Sequence, residues 1–461
     1  MSAAASDTAP RYLSHHEILP VVRGVALCIL LSALDMTIVV PAVPKMAAQL
    51  HGNHHLAWIV TAYLLTGTAA TPVFGKLSDI YGRLRLLQPA IVLFVLASLG
   101  CAIAQTLPQM LLLRALQGVG GAGLITLAQT AMADVIPPRE RGRYQIYMSG
   151  MWGIASLGGP ILGGILTDYL SWRAIFWINL PLGLAAFIIS SRALRDLPAH
   201  TPAKVKIDYA GAILLMATIT ALLMLISGGG ADFAWFSQTG AVLAGAGLLF
   251  LLLTLLQENR AAAPMLPLHI FANKIVLGGL ALSFTNALCS FGGILLLPLY
   301  FQFVLHTNAA TSGLYVTPFM LSFVLLSYVG GQISRRLGRT RPTMLVALLL
   351  CLAGLLLLAG MGRAPGLLCL VYMILLGSGI GLVQPNITVA IQNAAARPDV
   401  GVATGCMLLF RAIGGATGAT LAGTVMLHEG FPAAFLACAA FVLAAVLIAA
   451  SMPDLQLRSA N

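Results

Sequence analysis

Asp35 stands inside an apolar run, Val25 to Val43, that is long enough to cross a bilayer. A charge near the bilayer centre costs at least ~2.5–3.5 kcal/mol on insertion scales, so it needs a partner, water or a proton. An acid that takes up and releases a proton there can couple proton movement to another event. Two arginines also fall within apolar runs, Arg114 and Arg411. Arginine stays protonated, which makes Arg114 the obvious counter-ion for Asp35 and a second candidate for proton coupling. Depth leaves a gap between the two that only long side chains or shifted span ends would close. Counted from run ends near Ala47 and Pro108 at ~1.5 Å per residue, Asp35 lies about 18 Å below the outer edge and Arg114 about 9 Å. The bland alternative is an Asp35 held permanently by Arg114 or by a backbone group. Arg411 neighbours Gly414, Gly415 and Gly418, where helices can pack closely, and is read as a packing and gating residue.

Other chemistry is sparse. The seven cysteines are scattered through apolar runs, with no disulfide framework or ligand spacing. His54 and His55 adjoin, but no cysteine or carboxylate set completes a metal site, so no metal is expected. No nucleophile–base set and no phosphate-binding loop is visible, so enzyme activity, a cofactor and ATP-driven transport are not expected. Candidate substrate contacts are the polar Tyr63, Gln129, Asn286, Gln302, Gln384 and Asn386, with Met36, Phe284, Met407 and Phe410 as adaptable apolar walls.

These residues must be positioned by membrane helices. Hydrophobic residues make up 59% of the chain and charged residues 8%, far below the charge of a soluble domain. Apolar runs predict fourteen spans: 21–47, 55–74, 87–105, 108–132, 144–168, 173–191, 209–228, 238–257, 275–302, 311–333, 343–361, 366–390, 401–427 and 431–452. Their lengths suit helices, not barrel strands. Alternate loops collect 20 basic residues on one side against three on the other, which puts both termini in the cytoplasm by the positive-inside rule. The net charge of +11 therefore faces anionic lipid, and no nucleic-acid partner is expected.

An internal repeat is present. Gly75-Lys-Leu-Ser-Asp79-Ile-Tyr-Gly82-Arg83-Leu-Arg85 follows the second span, and Gly331-Gln-Ile-Ser-Arg335-Arg-Leu-Gly338-Arg339-Thr-Arg341 follows the tenth at the same spacing. Repeated halves around a midplane site are typical of secondary transporters. Arg335 replaces Asp79 in the second copy, so that half is expected to lack the ionic latch.

With these motifs the chain resembles the major facilitator superfamily over nearly its whole length. The Gly75–Arg85 loop is similar to that family's cytoplasmic signature. Leu34-Asp35-Met-Thr37-Ile-Val39 resembles the first-span motif of the 14-span drug:proton antiporters, although Val40 stands where that motif continues with Asn. Leu113-Arg114-Ala-Leu-Gln117-Gly118-Val-Gly120-Gly121 resembles the fourth-span motif. Gly159-Pro160-Ile-Leu-Gly163-Gly164 resembles the antiporter motif of span five, with Ala155 replacing its first glycine. Trp172-Arg173, Asn179-Leu-Pro181-Leu-Gly183 and Arg411-Ala-Ile-Gly414-Gly415 are also similar to this subgroup.

The resemblance implies an all-α polytopic membrane protein of the major-facilitator fold. Its expected parts are a cytoplasmic tail (1–20), an N-terminal six-helix bundle (21–191), a linker with two inserted helices (192–274), a C-terminal six-helix bundle (275–452) and a second tail (453–461). It implies proton-coupled efflux of lipophilic, cationic compounds from the bacterial plasma (inner) membrane. The expected partners are a small-molecule substrate, protons and the bilayer, for a monomer with room for a periplasmic adaptor. A dedicated exporter of one metabolite is the alternative, and an uptake symporter is further off. Gating is assigned to Gly75, Asp79, Gly82, Arg83, Gly159, Pro160, Gly163, Gly164 and Arg411.

Overall fold

Each apolar run that falls in the described residues forms a helix, because a backbone in hydrocarbon must satisfy its N–H and C=O groups within its own segment. The computed structural model describes residues 15–50, 58–193, 208–229, 233–261, 264–306, 315–361, 367–454 and 456–457. The tail up to residue 14, His51, His54 and His55, most of the linker with Pro198 and Pro202, and the last four residues lie outside them.

The helices are α1 (His15–Ile38), α2 (Val43–Gln49), α3 (Trp58–Tyr81), α4 (Arg83–Ile103), α5 (Leu107–Val135), α6 (Pro138–Tyr169), α7 (Ala174–Trp177) and α8 (Asn179–Ala193). They continue with α9 (Tyr209–Gly228), α10 (Gln238–Arg260), α11 (Lys274–Val304), α12 (Thr317–Leu337), α13 (Arg341–Ala359), α14 (Leu367–Ala394) and α15 (Val400–Ser451). Among the described residues eleven helices are long and apolar enough to cross a membrane. α3 and α12, which carry more Ser, Thr and Gly, are not among those eleven.

Two boundaries differ from the sequence reading. The first span does not run straight to Ala47: α1 stops at Ile38, and a 3-10 turn at Val40–Ala42 leads into α2. Pro41 and Pro44 account for this, since proline lacks the N–H an uninterrupted helix needs. The last two predicted spans form one helical run broken at Gly430, whose φ of 84° only glycine adopts freely, with Pro432 just beyond.

Packing separates into two large apolar cores. One joins α1, α3, α4, α5, α6 and α8 around Ile29, Phe94, Leu124 and Met148. The other joins α11 to α15 around Leu296, Phe319, Leu355, Ile387 and Phe435. α9 packs on α10 and also seats Leu215, Ile219 and Leu223 against Leu65 of α3 and Leu409 of α15. α10 leaves Leu248, Leu249, Leu252 and Leu256 exposed, as lipid-facing side chains should be.

The repeat has a backbone counterpart. Gly82 (φ 88°) turns α3 into α4, and Gly338 (φ 66°) turns α12 into α13. Both need a residue without Cβ.

Candidate functional site

Asp35 and Arg114 pair directly, which closes the gap that the depth count left open. The Asp35 Oδ2 lies 2.6 Å from Arg114 Nη1, and both side chains are fully buried. Because α1 ends one turn beyond Asp35, the acid sits nearer the helix end than a span running to Ala47 would place it. The other carboxylate oxygen accepts from Gln117 Nε2 and from Asn179 Nδ2, each at 2.8 Å. Arg114 Nη1 also donates to Gln117 Oε1 (2.8 Å) and Arg114 Nε to the Ile59 carbonyl (3.2 Å). The guanidinium stacks 4.5 Å from the Tyr63 ring centroid. Asn179 reaches on to Ser98 Oγ (3.0 Å), and the Tyr63 hydroxyl meets Ser32 Oγ (3.0 Å). Charge-assisted bonds of this kind offset the large penalty of burying two ions. The network ties α1, α3, α4, α5 and α8 together.

The opposite end of α5 carries a second ionic cluster. Arg83 binds Asp79 (2.8 Å) and, through Nε, Asp134 near the end of α5 (2.9 Å). The two Asp79 oxygens accept the backbone N–H groups of Gly401 and Val402, each at 3.0 Å. Those amides open α15 and have no partner within their own helix, so a carboxylate suits them. Gly75 permits the approach: a Cβ there would meet the Gly401 carbonyl oxygen at 2.5 Å.

In the repeat copy, Arg335 Nε binds Glu140 Oε1 at 2.6 Å, in the first turn of α6. The expected loss of a latch in that half is thus corrected: the ion pair is kept with its polarity reversed. Ser149 and Ser327 (2.8 Å), and Arg141 with Gln392 (3.4 Å), complete the closure between the cores at this end.

The sequence model for the Major Facilitator Superfamily matches residues 25–419 and again 281–455. The chain belongs to the major facilitator superfamily. As a member it is a multi-pass membrane transporter and not an enzyme. It is similar to the multidrug transporter protein MdtP of Bacillus subtilis, 33% identical over 88% of this chain and 74% of that protein. It is also 36% identical to the uncharacterized MFS-type transporter Rv1877 of Mycobacterium tuberculosis, over 87% of this chain but only 58% of the relative. Among solved structures, the human organic anion transporter MFSD10 (TETRAN) superposes with a TM-score of 0.66 at 16% identity, covering 93% of this chain and 99% of that one. That likeness concerns the fold.

Within this facilitator the other candidate residues divide. Tyr63 belongs to the Arg114 network. Asn286 Nδ2 donates to Gln384 Oε1 at 2.8 Å, joining α11 to α14. Asn386 is spent on its own helix, donating to the Leu382 carbonyl (2.6 Å). Gln129 is buried, with Oε1 unpaired, and lines a small pocket with Met132, Arg141 and Gln392. Met407 is buried and its carbonyl accepts from Ser283 (3.1 Å). Met36, Phe284 and Phe410 are half-buried against the two cores.

Gly159 and Gly163 face α1, where any Cβ would collide with Thr37 and the Ile38 backbone; Gly164 faces open space, and Pro160 is exposed. Thr37 Oγ1 also donates to the Ala155 carbonyl at 2.7 Å. Arg411 is half-buried, with its guanidinium 5.7 Å from the Trp152 ring centroid. Sequence reasoning passed over Gln117 and Asn179 as ligands of Asp35. A signal existed for Gln117, which lies on the same helix face as Arg114, three residues on.

Proposed function

We propose that this protein is a proton-coupled drug exporter, a drug:H+ antiporter that moves lipophilic compounds by alternating access. The observation that carries the reading is the enclosed Asp35 carboxylate, which three side chains hold from Arg114, Gln117 and Asn179. Such an intramembrane acid is a functional site by default. The naming of MdtP as a multidrug transporter supports the cargo class.

In the proposed cycle the ionised Asp35 is gripped by Arg114. Protonation removes the charge that Arg114 and both amides bind, and so frees α1. α1 is packed on α6 through Thr37, Ile38, Gly159 and Gly163, so its movement is passed to the helix that faces the second core. The proposed architecture counts α3 and α12 as spans and divides α15 at Gly430. This gives fourteen spans, both termini cytoplasmic, two six-helix bundles (21–191 and 275–452) and α9–α10 inserted between them. The closed end at Asp79 then faces the cytoplasm. A monomer in the bacterial inner membrane completes the reading.

Dye extrusion from everted vesicles with an imposed pH gradient tests it. Wild type should extrude dye only with the gradient, and Asp35→Asn should not. Gradient-dependent extrusion by Asp35→Asn at the wild-type rate would refute the proposal.

A further inference from the structure

Arg411 is a mid-helix charge that faces the Trp152 ring. Asp35 and Arg114 answer each other, whereas among the described residues Arg411 has no hydrogen bond and no ion pair. An arginine deep in a span is costly unless something answers its charge. Arg411 lies about 16 Å along α15 from Val400, at ~1.5 Å per residue, which is deep for a lipid headgroup.

Its placement is firm. Gly414 and Gly418 press α15 onto the α11 backbone at Phe284 and Leu288, and Gly415 meets the Phe291 ring. The guanidinium points at Trp152 of α6, a helix of the other core, so it stands where the two cores face each other. Trp152 is itself half-buried and rests on the patch of Ala33, Leu34 and Ala155. Asp35, next along α1, turns the other way into α5 and has donors on both oxygens. A cationic cargo therefore finds no free acceptor there, while an anionic one finds Arg411.

We infer that Arg411 and Trp152 form an anion-recognition point of the cargo site. The cargo is an amphiphile bearing a carboxylate, sulfonate or phosphate beside a flat apolar body. The acid takes charge-assisted bonds from the guanidinium, and the flat body lies on the indole. This rests on the exporter reading and names the charge class of its substrates.

The test compares two xanthene dyes of opposite charge, fluorescein and rhodamine 6G. Their binding to purified protein is measured by fluorescence anisotropy in nanodiscs of zwitterionic lipid. Arg411→Gln should weaken fluorescein binding by roughly tenfold or more, the scale of one charge-assisted bond, and Arg411→Lys should recover part of it. Rhodamine 6G, a cation, should bind Arg411→Lys as it binds wild type and Arg411→Gln at least as tightly, which reports that each variant is folded. Equal fluorescein affinity in wild type and Arg411→Gln, with rhodamine 6G bound, overturns the inference alone. Displacement of fluorescein by added anionic lipid assigns the charge to headgroups and also overturns it. If neither dye binds wild type, the exporter reading falls and takes the inference with it.

Discussion

Replacing Asp79 by alanine should open the end of the molecule that the structure shows closed. Asp79 joins the two cores by accepting two backbone amides of α15, Gly401 and Val402, at 3.0 Å each. Hydrogen bonds to a charged group are worth about 1.5–3 kcal/mol each. Water can reach the freed amides once the ends part, which reduces the summed ~3–6 kcal/mol to about 2–3 kcal/mol. That is roughly a 30- to 150-fold shift in the closed-to-open ratio. Arg83 is not orphaned by the change, since Asp134 and Ser78 still hold it. Asp79→Asn keeps a neutral acceptor and should give about half the effect. The assay is pulsed electron spin resonance between labels at Arg85→Cys and Arg336→Cys, two exposed positions on opposite cores. The seven native cysteines are all buried and so shielded from the label. Asp79→Ala should add a population at longer distance. A distribution unchanged from the parent would refute the claim that these bonds hold this end shut.

Other consequences are equally checkable. Gly159→Val should cut extrusion to below about a tenth of wild type, because its side chain displaces Thr37, whereas Gly164→Ala should transport normally because nothing lies within 4 Å. Comparable activity in both variants would show that the α1–α6 contact is dispensable. Gln117→Leu removes one donor to Asp35 and one acceptor of Arg114, a loss of about 2 kcal/mol, and should lower the thermal midpoint by a few degrees. An unshifted midpoint would mean that the network adds nothing to stability.

Much of the helical plan was legible because apolar runs of membrane length leave the backbone little choice. The turn glycines of the repeat, Gly82 and Gly338, were legible for the same kind of reason: few residues tolerate their φ. The types of the buried ions, Asp35 and Arg114, were equally plain. Their pairing was not, because the count in residues assumed a straight first span, and Pro41 with Pro44 ends that span early. Gln117 and Asn179 stayed hidden since a neutral amide in an apolar run looks the same whether it packs, caps or ligates. The Arg335–Glu140 pair joins residues 195 apart in sequence, and only the folded chain shows that a reversed charge found a new partner.

α5 carries Arg114 near one end and Asp134 near the other, about 30 Å apart at ~1.5 Å per residue, with no proline between them. Each is clamped by an ion of another helix, Asp35 at one end and Arg83 at the other. Gly120 and Gly123 leave smooth flats on its sides, where Phe94, Ala90 and Phe74 lie flush. Such a helix works as a torsion bar. On the proposed mechanism, slackening one clamp lets the bar relax about its long axis, and the twist reaches the far clamp with no ligand having travelled the distance. In the proposed cycle a single proton at Asp35 thereby gains mechanical leverage over a joint on the other face of the bilayer.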